Sequence, residues 1–122
     1  MELTYRKANS SDLEDIIQLL AKDSLGSGRE DDSQPINNAY VEAFKTVEHD
    51  ANNDLLIFEV ARNMIGILQI TFIPGLTYIG SWRCTVAGVR IKDEYRGKGF
   101  GKLMFEHVLN IAREKGCKLV QH

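Results

Sequence analysis

An α+β domain built on a mixed sheet is the fold class this sequence predicts. Two helix-like runs follow a short first strand, and then three strand-like runs come in succession, the first two close enough to form a hairpin. A final strand–helix–strand unit over 82–122 should be parallel and right-handed. At 122 residues, with 43% hydrophobic and 26% charged residues, the chain is expected to form a single domain over 1–122 with one core.

Residues 3–8, LTYRKA, read as an extended segment with Leu3, Tyr5 and Lys7 on one face. In SSDLEDIIQLLAKD, Ser11 and Glu14 have the spacing of a capping box, and Leu13, Ile16, Ile17 and Leu20 form one helical stripe. That helix ends in a Gly/Ser/Asp loop closed by Pro35. Tyr40, Ala43, Phe44 and Val47 repeat the stripe and predict a second helix over 37–49. Strands are expected at 54–61 and 64–73, with Arg62-Asn63 as their turn, and at 82–91, where β-branched residues are dense. From about Gly99 to Lys115 a helix follows from the 3.6 period of Phe100, Leu103, Met104, His107, Val108, Ile111 and Ala112, with Gly116 as its C-terminal cap. KLVQ begins a last strand.

A net charge of −2 gives no footprint for nucleic acid, and no apolar run reaches membrane-spanning length. Cys84 and Cys117 form no CxxC pair and read as reduced core thiols of a cytoplasmic protein. His49, His107 and His122 share no metal spacing with them, so no metal is expected, and His107 reads as a core imidazole.

The chemistry concentrates in VRIKDEYRGKGFGK, residues 89–102. A strand runs into alternating glycines, Gly97, Gly99 and Gly101, at the start of a helix, with Arg96, Lys98 and Lys102 beside them. The first amides of a helix lack carbonyl partners and carry the positive end of its dipole, and glycines let a bulky anion approach them. A P-loop is excluded: Gly97 to Gly101 encloses three residues rather than four, and Leu103 stands where Ser or Thr should follow Lys102. The spacing is GxGxG, not the GxGxxG of a dinucleotide fold.

RGKGFG, on the turn after the V-R-I strand, resembles the Arg/Gln-x-x-Gly-x-Gly signature of the GNAT superfamily of N-acetyltransferases, and the element order is similar along essentially all of 1–122. The resemblance implies the GNAT fold and acetyl-CoA as co-substrate, its pyrophosphate on the backbone from Arg96 through Gly97, Lys98, Gly99, Phe100 and Gly101 to Lys102. The pantetheine arm would pair along Val89, Arg90 and Ile91 like an added strand. The Val89 amide, or one near it, would be the oxyanion donor, worth roughly 3 kcal/mol in the transition state. The acceptor would be a primary amine that attacks the thioester directly.

Two departures from the family pattern stand out. Many relatives carry a Glu general base where this sequence has Ala87; Glu59, Asp93 and Glu94 are the substitutes to be tested. Relatives also continue past the strand KLVQ with a helix, usually bearing the Tyr acid, and a closing hairpin; no residue here matches that Tyr. Glu30, Asp31 and Asp32 in the loop between the first two helices are placed to attract a cationic amine, or simply form a solvated acidic loop. Three readings remain: an acetyl-CoA-dependent N-acetyltransferase, a CoA-binding remnant without turnover, and an assembly module whose open sheet edge pairs with another chain. A homodimer with the last strand at its interface is expected.

Overall fold

The computed structural model describes residues 2–22 and 28–122. The elements are β1 (Leu3–Lys7), a 3-10 turn (Ser10–Asp12), α1 (Leu13–Lys22), α2 (Asn38–His49), β2 (Asn53–Val60), β3 (Asn63–Ile73), β4 (Trp82–Ile91), α3 (Phe100–Glu114) and β5 (Cys117–Gln121). The expected order of elements is therefore the observed one. The start of the loop after α1, residues 23–27, lies outside the described residues.

One sheet runs in the order β1-β2-β3-β4-β5, antiparallel as far as β4, with β4 and β5 parallel. Strand alternation sends side chains to two faces. On one face Leu56, Phe58, Ile70, Phe72, Cys84 and Val86 meet the α3 stripe of Phe100, Met104, Val108, Ile111 and Ala112. On the other, Ile57 and Ile67 pack under Ile16 and Leu19 of α1, and Phe44 of α2 packs on Leu13 and Ile17. Each such burial stabilises the fold by about 1.5–3 kcal/mol. Leu103 belongs to the expected α3 stripe but stands 38% exposed, at its margin. His107 is half-buried: its Nε2–H donates to the Leu3 carbonyl at 3.2 Å, and the ring packs against Tyr5 and Phe58.

The start of α1 differs from expectation. Ser11 and Glu14 do not form the box. The Asn9 side chain accepts from the Ser11 N–H at 3.0 Å, and the Asn9 N–H donates to Asp12 Oδ2 at 2.8 Å. The box sits two residues earlier because Asp12 has a second partner. The Arg6 guanidinium clamps its carboxylate through Nη1 at 2.7 Å and Nη2 at 2.8 Å, tying β1 to the helix start. These bonds hold the Asp12 carboxyl below its ordinary range, against the opposing effect of burial. A depressed folded-state value stabilises above the unfolded value of about 3.9 and is lost as pH falls through the folded one. Asp12→Asn is expected to cost about 1 kcal/mol at pH 7, a figure reduced for the partly exposed Arg6, and less at pH 3. Urea melts at the two pH values check both the size and the sign.

The β2–β3 turn is Ala61-Arg62, at φ 50° and 67°, one residue before the expected Arg62-Asn63. Two positive φ values match the twist of the flanking strands. The link into β4 contains a single left-handed turn, Thr77–Gly80, with Tyr78 and Ile79 at φ 51° and 59°.

Candidate active site

The site is organised by a break in the β3–β4 ladder. Ile67 pairs with Arg90, but Gln69 pairs with Ala87, so Gly88 and Val89 together oppose Leu68 as a bulge. Gly88 takes φ 64°, which an L side chain adopts only with strain. On the other edge of β4, pairing with β5 extends only from Trp82 to Thr85. From Val86 to Ile91 that edge of β4 has no neighbouring strand among the described residues, and it leads directly into the glycine turn. An open edge of this kind accepts an extended, amide-bearing ligand as it would a further strand.

At the end of that edge, Gly99 caps α3 with φ 85°, and no side-chain cap bond is made there among the described residues. Gly97 has φ 74°. A Cβ built on either glycine would meet nothing within 4 Å, so both face open space. Gly101 differs: its Cβ would touch Ile91 Cδ1 at 3.5 Å, on the side of β4. The first amides of α3 thus remain for an anion. The cations are arranged loosely around them. Arg96 Nε donates to the Ile91 carbonyl at 3.1 Å and its Nη1 lies 3.4 Å from Asp93, so it braces the turn from outside. Lys98 Nζ lies 6.0 Å from the Tyr95 ring centre, and Lys102 is exposed.

Across the bulge, on the α1–α2 face, lies a cavity of about 190 Å³. Leu13, Ile17 and Phe44 form part of its wall, and Gln69, Ala87 and Gly88 stand at its β4 side. The bulge therefore borders the open β4 edge on one side and this apolar cleft on the other, a layout that can bring two substrates together.

The three candidate bases are not brought to Ala87. Glu59 pairs with Arg6 Nε at 3.3 Å and lies two strands away, roughly 16 Å by strand geometry. Asp93 and Glu94 are exposed beyond the end of β4, more than roughly 13 Å along the chain from Ala87, and Asp93 is engaged by Arg96. In the acidic loop, Glu30 accepts from the Tyr40 hydroxyl at 2.7 Å. Asp31 accepts from the Ser33 hydroxyl at 2.6 Å and from Asn37 at 3.1 Å. These carboxylates shape the loop rather than face the cavity; Asp32 is exposed. Tyr40 itself lines the cavity.

Three positions of consequence escaped sequence reasoning. Gly88 makes the bulge, and an isolated glycine in a β-branched run was its signal. At Gly66 a Cβ would stand 2.7 Å from the Arg90 carbonyl and 3.3 Å from Met104, so only glycine lets β4 and α3 close over β3 there. Gln69 faces Ala87 across the ladder and carries no signal in the linear chain.

Residues 13–122 match the Acetyltransferase (GNAT) family, and the chain belongs to that family, whose general activity is acetyl-CoA-dependent acetyl transfer. Its structure is similar to that of a transcriptional regulator from Bacillus halodurans C-125, at TM-score 0.92 and 42% identity, covering 98% of this chain and 80% of that one. An acetyltransferase from Trypanosoma brucei shares the fold at TM-score 0.75 and 23% identity, covering 98% and 80%. A "predicted acetyltransferase with acetyl-CoA" from Clostridium acetobutylicum does so at TM-score 0.72 and 20% identity, covering 98% and 79%. No curated protein matches this chain. Among the described residues no helix is long and apolar enough to cross a membrane.

Proposed function

We propose that this chain acetylates a primary amine, taking the acetyl group from acetyl-CoA by direct attack. The observation that carries this reading is the continuity of the open β4 edge with the uncapped glycine turn. The pyrophosphate rests on the backbone from Arg96 to Lys102, and the pantetheine arm pairs along Val89, Arg90 and Ile91. The acetyl carbonyl then lies at the bulge, where the Val89 N–H is the oxyanion donor. The amine enters from the cavity side. Its nitrogen lone pair attacks the carbonyl carbon, the nitrogen loses a proton to water, the C–S bond breaks, and the departing thiolate takes up a proton from solvent. With Ala87 exposed at the mouth and Glu59, Asp93 and Glu94 elsewhere, no side chain among the described residues takes the amine's proton. Only the free amine reacts, and the rate rises with pH accordingly.

Calorimetric titration with acetyl-CoA, followed by thioester loss with a panel of amines between pH 7 and 10, tests the reading. Binding with amine-dependent turnover supports it. Binding without turnover at any pH favours a CoA-binding domain, and no binding removes both.

The chain acts as a homodimer in the cytoplasm under this reading. The free thiols of Cys84 and Cys117 suit a reducing compartment, and burial pushes the Cys84 thiol up to about 11, far from reactive ionisation. An apolar cluster at the β5 side favours a second copy there: Ile79 and Leu76 are 103% and 93% exposed, and Leu119 lies near Ile79 at the same surface. Light scattering at micromolar concentration should give twice the 13.8 kDa chain mass; a stable monomer contradicts it.

A further inference from the structure

The wall of the α1–α2 cavity is apolar except at Tyr40 and Gln69. Tyr40 is committed. Its hydroxyl donates to Glu30 Oε1 at 2.7 Å and accepts from the Asp31 N–H at 2.9 Å. Gln69 is only half committed, and the reason lies two residues away. The Asp50 carboxylate only accepts, so the Asn53 group facing it, 2.9 Å from Oδ2, must be the Nδ2 amine. Asn53 Oδ1 therefore faces the other way, where it accepts from the Thr71 hydroxyl at 2.6 Å and from Gln69 Nε2 at 3.0 Å. This fixes the Gln69 amide in turn. Its carbonyl oxygen takes no hydrogen bond among the described residues, and Gln69 stands opposite Ala87 at the cavity.

We propose that the acceptor is a primary amine on a short, unbranched apolar body, with the body in this cavity and the nitrogen held beside Gly88 by the Gln69 carbonyl oxygen. The inference rests on the acetyltransferase reading and narrows its acceptor. A neutral amine donates one N–H to Gln69 and keeps its lone pair for the thioester. The cleft, about 190 Å³ and open on one side, is smaller than the roughly 300–1,000 Å³ of drug-sized sites, which favours a body of a few carbons. A second ammonium or a ring of hydroxyls would enter an apolar wall without partners, a costly placement. No carboxylate lines the cavity among the described residues, and those of Glu30 and Asp31 accept bonds from Tyr40, Ser33 and Asn37.

Methylamine, propylamine and pentylamine have similar basicity, so their kcat/KM values at one pH compare binding directly. The expected rise is about fourfold per methylene until the cavity is full. 1,4-Diaminobutane and glucosamine, with each rate expressed per free amine because glucosamine is the weaker base, should fall at least about tenfold below pentylamine. Gln69→Leu should raise the pentylamine KM by about tenfold, with the acetyl-CoA dissociation constant within about twofold of the parent. Ala43→Phe, at the exposed rim on α2, should shift the preferred chain to a shorter one.

Binding is read separately, by the NMR shift of the Gln69 side-chain amide when pentylamine or 1,4-diaminobutane is added to the CoA-saturated protein. Pentylamine bound at Gln69 without acetyl transfer would overturn the acetyltransferase reading and still support the site. Four results would overturn the inference: a diamine or amino sugar preferred over pentylamine, a Gln69→Leu variant with unchanged amine KM and affinity, pentylamine shifts confined to another surface, or no amine binding at all.

Discussion

Gly99→Val is expected to weaken acetyl-CoA binding by about 100-fold or more. The parent Gly99 sits at φ 85° and faces open space above the first amides of α3. A branched side chain there occupies the approach of the pyrophosphate and strains a left-handed position by about 1–2 kcal/mol. That strain is present with and without ligand and lowers stability; the loss of affinity comes from losing two charge-assisted amide bonds to the phosphates. Gly101→Ala separates blocking from general damage. Its new methyl would lie against Ile91 Cδ1 at 3.5 Å, on the side of β4, an ordinary packing contact. That variant should bind acetyl-CoA as the parent does and melt no lower. If Gly99→Val retained parental affinity, or Gly101→Ala lost as much as Gly99→Val, the pyrophosphate would lie elsewhere.

Ala87→Glu is expected to raise turnover by about 10²-fold, toward the lower end of what a positioned base contributes. Ala87 stands opposite Gln69 beside the bulge, at the mouth of an apolar cavity. Ala87 is exposed, so a carboxylate placed there stays solvated and ionised across the working range, ready to accept the amine's proton. The parent rate should climb with the fraction of free amine, whereas the variant should reach its plateau at lower pH. Initial rates from pH 6 to 10, with acetyl-CoA affinity measured alongside, distinguish this from a binding effect. A parent enzyme already fast and flat across that range would show that a base is present after all.

Most of the architecture was legible because each element signals itself locally. The apolar stripe of α3 is long and bounded by Gly99 and Gly116, and β4 is a β-branched run closed by charged residues. The glycine turn was equally legible, since positive φ and a helix start both select for glycine. What did not show is what tertiary pairing decides. The capping box formed at Asn9 and Asp12 because Arg6, from β1, holds Asp12 there, and the linear spacing of Ser11 and Glu14 carries no record of that. The hairpin turn fell on Ala61-Arg62 because ladder register, not turn composition, placed it. Glu59 was a reasonable base by proximity in sequence to the hairpin, yet Arg6 holds it two strands from β4. Gln69 became visible only when the ladder set it against Ala87 and Asn53 fixed its amide.

Acetyl-CoA titrated into isotope-labelled protein, followed amide by amide, addresses the site most directly. Shifts should concentrate on Val89, Arg90 and Ile91 and on the turn from Gly97 to Lys102, with the Val89 amide moving most on going from CoA to acetyl-CoA. β1 and the β2–β3 turn should stay still. Absence of binding at millimolar acetyl-CoA, or shifts confined to surfaces away from β4 and the start of α3, would contradict the assignment of this edge and turn as the coenzyme site.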